Sequence, residues 1–204
     1  MPGRQGLAGG SAIVVASMLF LFTVPPAYFV PATFVSTACM IGAAYALGAL
    51  GPRRLRLRSV LIGLASAAAL YVIFYAGALA ISTYHPFGIS ASSETSIYSL
   101  ISSPSNPTYV QVLVLLFDAA GFEAFFRAVL QGRLSARFGP LSAPAVALLD
   151  AAIHIATLNP LWVVTTFVTD VVWGLTYHYG KGAQSSFTSH FVWDVAIFVL
   201  SPIR

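Results

Sequence analysis

The sequence predicts an all-α protein, a polytopic integral membrane bundle of about seven transmembrane helices. Three observations carry this. Of 204 residues, 58% are hydrophobic and only 8% charged, where a soluble domain carries roughly 25% charged residues. The mean hydropathy is +0.84, and long apolar runs recur along the chain with no polar face able to cover a soluble surface. Between Arg4 and Arg53 no charged residue occurs at all, room for two crossings of about 20 residues each.

The stretch Pro25-Pro26-Ala27-Tyr28-Phe29-Val30-Pro31 divides that first run, and it places helices near residues 11–30 and 32–51. Arg4 ahead of an apolar core with small residues beyond also fits a cleaved signal peptide, with the later topology unchanged. A third span is expected over 59–82, followed by a single long loop over 83–108, rich in Ser, Thr and Pro. Further spans are expected over 109–134, 141–158, 161–179 and 183–200, each able to cross a hydrocarbon core about 30 Å thick. No linker or repeat interrupts the chain. It reads as a single membrane domain, 1–204, with three spans and an outer loop in 1–108 and a four-helix candidate catalytic core in 109–200.

The net charge of +4 does not indicate nucleic acid, because the basic residues stand singly or beside spans. The partner it indicates is the lipid bilayer. Threading seven spans puts Arg53, Arg54, Arg56, Arg58, Arg133, Arg137 and Lys181 on the side of Arg4 and only Arg204 opposite. Cytoplasmic flanks carry the excess of Lys and Arg, so the N-terminus is expected in the cytoplasm and the 83–108 loop outside. By the same rule the Arg53–Arg58 cluster reads as a topology signal and Trp162, near a span end, as an interfacial anchor. The lone Cys39 excludes an intrachain disulfide.

Ionisable groups at a helix centre cost a few kcal/mol even on lenient insertion scales, so they face a bundle interior. Of six acidic residues, only Glu94 lies outside the expected spans. Asp118, Glu123 and Arg127 fall in the fourth span, Asp150 and His154 in the fifth, Asp170 in the sixth, and His190 and Asp194 in the seventh. Three pairs, Glu123 with Arg127, Asp150 with His154 and His190 with Asp194, are spaced four apart and share a helix face. Glu123, His154 and Asp194 reach similar depths, roughly 16 to 20 Å from the basic side at the rise of a helix. Carboxylates and imidazoles at one level suit water activation, the base taking the proton. The competing reading is that they are buried pairs holding helices together.

The segment Phe122-Glu123-Ala124-Phe125-Phe126-Arg127 resembles the E-E-x-x-x-R signature of the CPBP family, the intramembrane proteases of the CAAX prenyl protease 2 and bacteriocin-processing type. Asp150-Ala151-Ala152-Ile153-His154 is similar to the family's F-x-x-x-H, and His190-Phe191-Val192-Trp193-Asp194 to its H-x-x-x-N or H-x-x-x-D. Gly174 through Ser189 resembles its sixth span and turn into the seventh. The resemblance implies hydrolysis of a peptide bond in a hydrophobic or lipidated peptide, by an activated water and without a cofactor. It implies that His154 assists water activation, that His190 and Asp194 flank the tetrahedral intermediate, and that Glu123 and Arg127 hold the second-glutamate and arginine places. Phe122 departs from the pattern, standing where the family has its first, catalytic glutamate. Three readings follow: Glu123 takes over, Asp118 or Asp150 substitutes, or catalysis is lost.

Two other classes remain open, a non-catalytic binder of a membrane peptide or protein and a proton-coupled transporter. Transport is disfavoured because the polar residues crowd into the last four spans, with no counterpart in the first three such as inverted repeats leave. No metal is expected, since no compact H-E-x-x-H motif occurs.

Overall fold

A computed structural model of the chain describes residues 4–51, 54–84, 91–101 and 106–203. All regular structure among them is helical. Helix α1 spans Arg4–Thr23, α2 Phe29–Ala46, α3 Leu57–Tyr84, α4 Ala91–Ile101 and α5 Thr108–Phe122. A π-helical segment, Glu123–Gln131, continues α5 into α6, Gly132–Phe138. Then come α7, Ser142–His154, α8, Pro160–Tyr179, and α9, Ala183–Val195, which runs on through π-helical Ala196–Leu200.

The distribution of side chains is inverted relative to a soluble protein. Val72, Leu79 and Leu148 are 67%, 55% and 62% exposed, while Arg127, Gln131 and Asp170 are wholly buried. Such a surface is favourable only in contact with hydrocarbon, and the chain is a membrane protein. Over 5–23, 26–46 and 57–84 the helices are long and apolar enough to cross a bilayer by themselves. The later helices are shorter, interrupted or more polar, because their inner faces carry the ionisable groups.

Several expectations shift. The first break falls earlier than expected, at Pro25-Pro26, so α1 ends at Thr23 rather than near residue 30. Pro31 does not break the chain: it sits in the first turn of α2, where a missing N–H costs nothing. The stretch 83–108 is not simply a loop, since it contains the 11-residue α4. Tertiary bonds hold that polar helix in place: Asn159 Nδ2 donates to the Ser93 carbonyl at 2.8 Å and to Ser96 Oγ at 3.2 Å. Arg53, Arg204 and residues 85–90 and 102–105 lie outside the described residues.

Helices from both ends of the chain pack together, α3 against α9, α2 against α5, and α7 against α8. Small and hydroxylated side chains line these contacts, the usual solution where lipid gives no hydrophobic drive for association. Ser66 of α3 bonds both Thr176 of α8, at 2.7 Å, and Ser189 of α9, at 3.0 Å. A methyl group at Gly63 would come within 2.5 Å of the Ser185 carbonyl and 2.6 Å of Thr188 Cβ. Gly63→Ala is therefore expected to push α3 off α9 and cost about 1–3 kcal/mol, the usual range for overpacking. Thermal unfolding of the purified protein in detergent measures it; an unchanged midpoint would mean the two helices separate freely.

Candidate active site

The π-helical segment Glu123–Gln131 is where the site begins. Its wider i→i+5 turns are uncommon and concentrate at functional positions. All its charged groups are buried. Arg127 Nη2 lies 2.8 Å from Asp170 Oδ1 of α8, Arg127 Nε 3.9 Å from Glu123 Oε1, and Arg127 Nη1 donates to Gln131 Oε1 at 3.4 Å. Gln131 Nε2 in turn donates to the Gly174 carbonyl at 2.7 Å. Close approach requires glycine there, because a Cβ at Gly174 would meet Ala143 Cβ at 2.6 Å. This network ties the π-helical segment to α8, and only its Asp170 end reaches the cavity wall.

Glu123 Oε1 faces His190 Nδ1 of α9 at 3.2 Å. With the Nδ1–H donated to that carboxylate, the other ring nitrogen, Nε2, is left for chemistry; it lies 3.4 Å from Asp194 Oδ2. The ring itself is clamped, stacked on Trp173 at 3.6 Å and 15° and met edge-on by Phe122 at 5.3 Å. Asp118, one turn before Phe122, completes the group: one ligating atom each of Asp118, His190 and Asp194 lies within 4.8 Å of the others. Such a triangle has room for one water at about 2.8 Å or less from every corner, within hydrogen-bonding reach.

A cavity of about 650 Å³ contains this triangle. Asp118, Phe122, Asp150, His154, Asp170, His190 and Asp194 line its polar side. His154 Nδ1–H donates to the Asp150 carbonyl at 3.0 Å, with Asp150 Oδ1 3.5 Å away, so its Nε2 is also free. The opposite wall is apolar and comes from the N-terminal helices, with Leu21 and Phe22 of α1, Phe29 of α2 and Phe74 of α3.

Of the residues expected at a site, the structure thus brings His154, His190, Asp194, Asp118 and Asp150 to one cavity, with the two imidazoles on its wall. Glu123 and Arg127 are not among the lining residues; they stand behind His190. Trp162, half-buried in the first turn of α8, also lines the cavity and packs 5.6 Å from Phe22 and 5.8 Å from His154. Sequence reasoning missed Trp173 and Trp193. Both are buried on the cavity wall with indole N–H groups that have no hydrogen-bond partner among the described residues. Buried donors of this kind are rare in folded proteins, and aromatic residues in an apolar span do not display them.

The triangle can also hold a metal. One imidazole nitrogen and two carboxylate oxygens are donors that a divalent cation such as zinc accepts at about 2.0–2.2 Å. No compact motif signals this, because the ligands come from two separate helices.

Ionisable groups gathered on the wall of a mostly apolar cavity, in a helical membrane protein, are an arrangement suited to hydrophobic molecules within the bilayer. Residues 104–196 match the family model described as type II CAAX prenyl endopeptidase Rce1-like. The matched region takes in Asp118, Glu123, Arg127, Asp150, His154, His190 and Asp194, while the apolar wall supplied by α1, α2 and α3 lies outside it. No curated protein and no solved structure matches the chain.

Proposed function

We propose that the protein is an intramembrane endopeptidase that hydrolyses a peptide bond in a hydrophobic or lipidated peptide. The observation that carries this is the cavity that joins Asp118, His154, His190 and Asp194 to an apolar wall. A water held in the Asp118–His190–Asp194 triangle gives its proton to the Asp118 carboxylate while its oxygen attacks the scissile carbonyl carbon. The tetrahedral intermediate collapses with cleavage of the C–N bond, and the proton passes to the departing amine through His190 Nε2. Glu123 positions His190 and does not touch substrate. Arg54, Arg56, Arg58, Arg133, Arg137 and Lys181 favour seven crossings with a cytoplasmic N-terminus.

A second reading, a binder that has lost catalysis, rests on Phe122. Its ring lies 4.4 Å from Phe126 and 5.3 Å from His190, filling the place of the family's first glutamate. A prenylated CAAX peptide, incubated with purified protein and analysed for its release product, tests the two. Cleavage by the wild-type chain is the expected result. Cleavage that appears only in Phe122→Glu would instead mark a disabled enzyme, and none in either would leave the binder.

A further inference from the structure

At the basic end of the bundle a second pocket, about 760 Å³, opens between the segment entering α3 and the α8–α9 turn. Arg54, Arg56, His178 and Lys181 line it, and no acidic side chain does. Among the described residues none of these four has an ion-pair partner. Two further features add positive character to this end. Helices α3 and α9 both start here, and Gly182, ahead of α9, provides no side-chain cap for the first turn. Helix starts carry unsatisfied N–H groups and partial positive charge. Gln184 accepts the Arg56 N–H at 3.1 Å, which joins the two helix starts, and its Nε2 is buried with no hydrogen-bond partner among the described residues.

Lys181 itself stands at φ 58°, a left-handed conformation that non-glycine residues rarely adopt. The flanking glycines could have taken that position more easily, so the turn keeps a charged side chain there at some conformational cost. Leu55 and Leu57, 84% and 72% exposed, alternate with Arg54 and Arg56. Apolar side chains beside the cations match acyl chains below a headgroup, which a free phosphate does not have.

We propose that this pocket binds the phosphate of an anionic phospholipid headgroup, independently of the catalytic cavity. The test is titration of the purified full-length protein, in detergent, with dioctanoyl phosphatidylglycerol, bound lipid being counted by native mass spectrometry. A single basic residue near an anionic lipid is worth about fivefold in binding, so the Arg54→Gln/Arg56→Gln/Lys181→Gln variant is expected to lose at least about tenfold in affinity. An Arg133→Gln/Arg137→Gln control, two cations of α6 outside the pocket, is expected to lose less than about twofold, and phosphatidylcholine to bind weakly to every form. Should the triple variant fail to fold, Lys181→Gln alone is expected to lose about fivefold. Unchanged affinity in the pocket variants, or an equal loss in the control, would overturn the site. Saturation by inorganic phosphate at the concentration where lipid saturates would overturn the lipid as its occupant.

Discussion

Asp118→Asn is expected to lower kcat for peptide cleavage by about 10²–10⁴-fold, the range general-base removal typically costs. The substitution keeps the size and polarity of the side chain but removes the group that takes the water proton, so KM for a hydrophobic peptide should change little. Asp118 comes from α5 while His190 and Asp194 share α9, and only together do the three atoms fall within 4.8 Å. Glu123→Gln is expected to cost less, because its side chain can still accept from His190 Nδ1 at the observed 3.2 Å. Single-turnover cleavage by the two variants separates the roles. Full activity in Asp118→Asn with none in Glu123→Gln would return the base to Glu123. Loss of wild-type activity on chelation, with recovery on adding zinc, would make the triangle a metal site.

Arg127→Leu is expected to be the most damaging single change to stability, at about 3–5 kcal/mol, because it strands a buried charge. Arg127 and Asp170 are both fully buried, and their 2.8 Å ion pair is where α8 meets the π-helical segment. Without the guanidinium, Asp170 keeps no cation, and Glu123 loses the one 3.9 Å away. The Arg127→Leu/Asp170→Leu double variant is expected to recover most of the loss, since a buried pair replaced by apolar groups is often neutral. Denaturation in detergent checks both. A double variant no more stable than the single would show that the network around Gln131 and Gly174, not the ion pair, holds the two helices.

Much of the site was legible because of what lipid forbids. Ionisable residues in apolar spans are costly unless they face one another, so Asp118, Asp150, His154, His190 and Asp194 stood out as inward-facing groups, and i, i+4 spacing put His190 beside Asp194. Local spacing could not tell which carboxylate faces open space. Glu123 and Asp118 belong to the same helical run, yet one stands behind His190 and the other lines the cavity. The π-helical segment after Phe122 has no clear local sequence mark, although it changes the direction of every residue that follows. The α4 helix was hidden for a similar reason: its Ser- and Thr-rich sequence favours a loop until Asn159 bonds to it.

By itself the sequence determined the membrane environment, the helical class and the set of residues that must point inward, because hydrocarbon imposes those conditions on each span separately. Tertiary structure decided which inward-facing groups meet. It closed α1, α2 and α3, which carry no motif, into the apolar wall of the cavity. It also turned Trp162, Trp173 and Trp193 from ordinary apolar residues into parts of the site, and set Arg54 and Lys181 around one pocket. Each of these depends on distances between helices far apart in the chain, and such distances follow from packing all the helices at once.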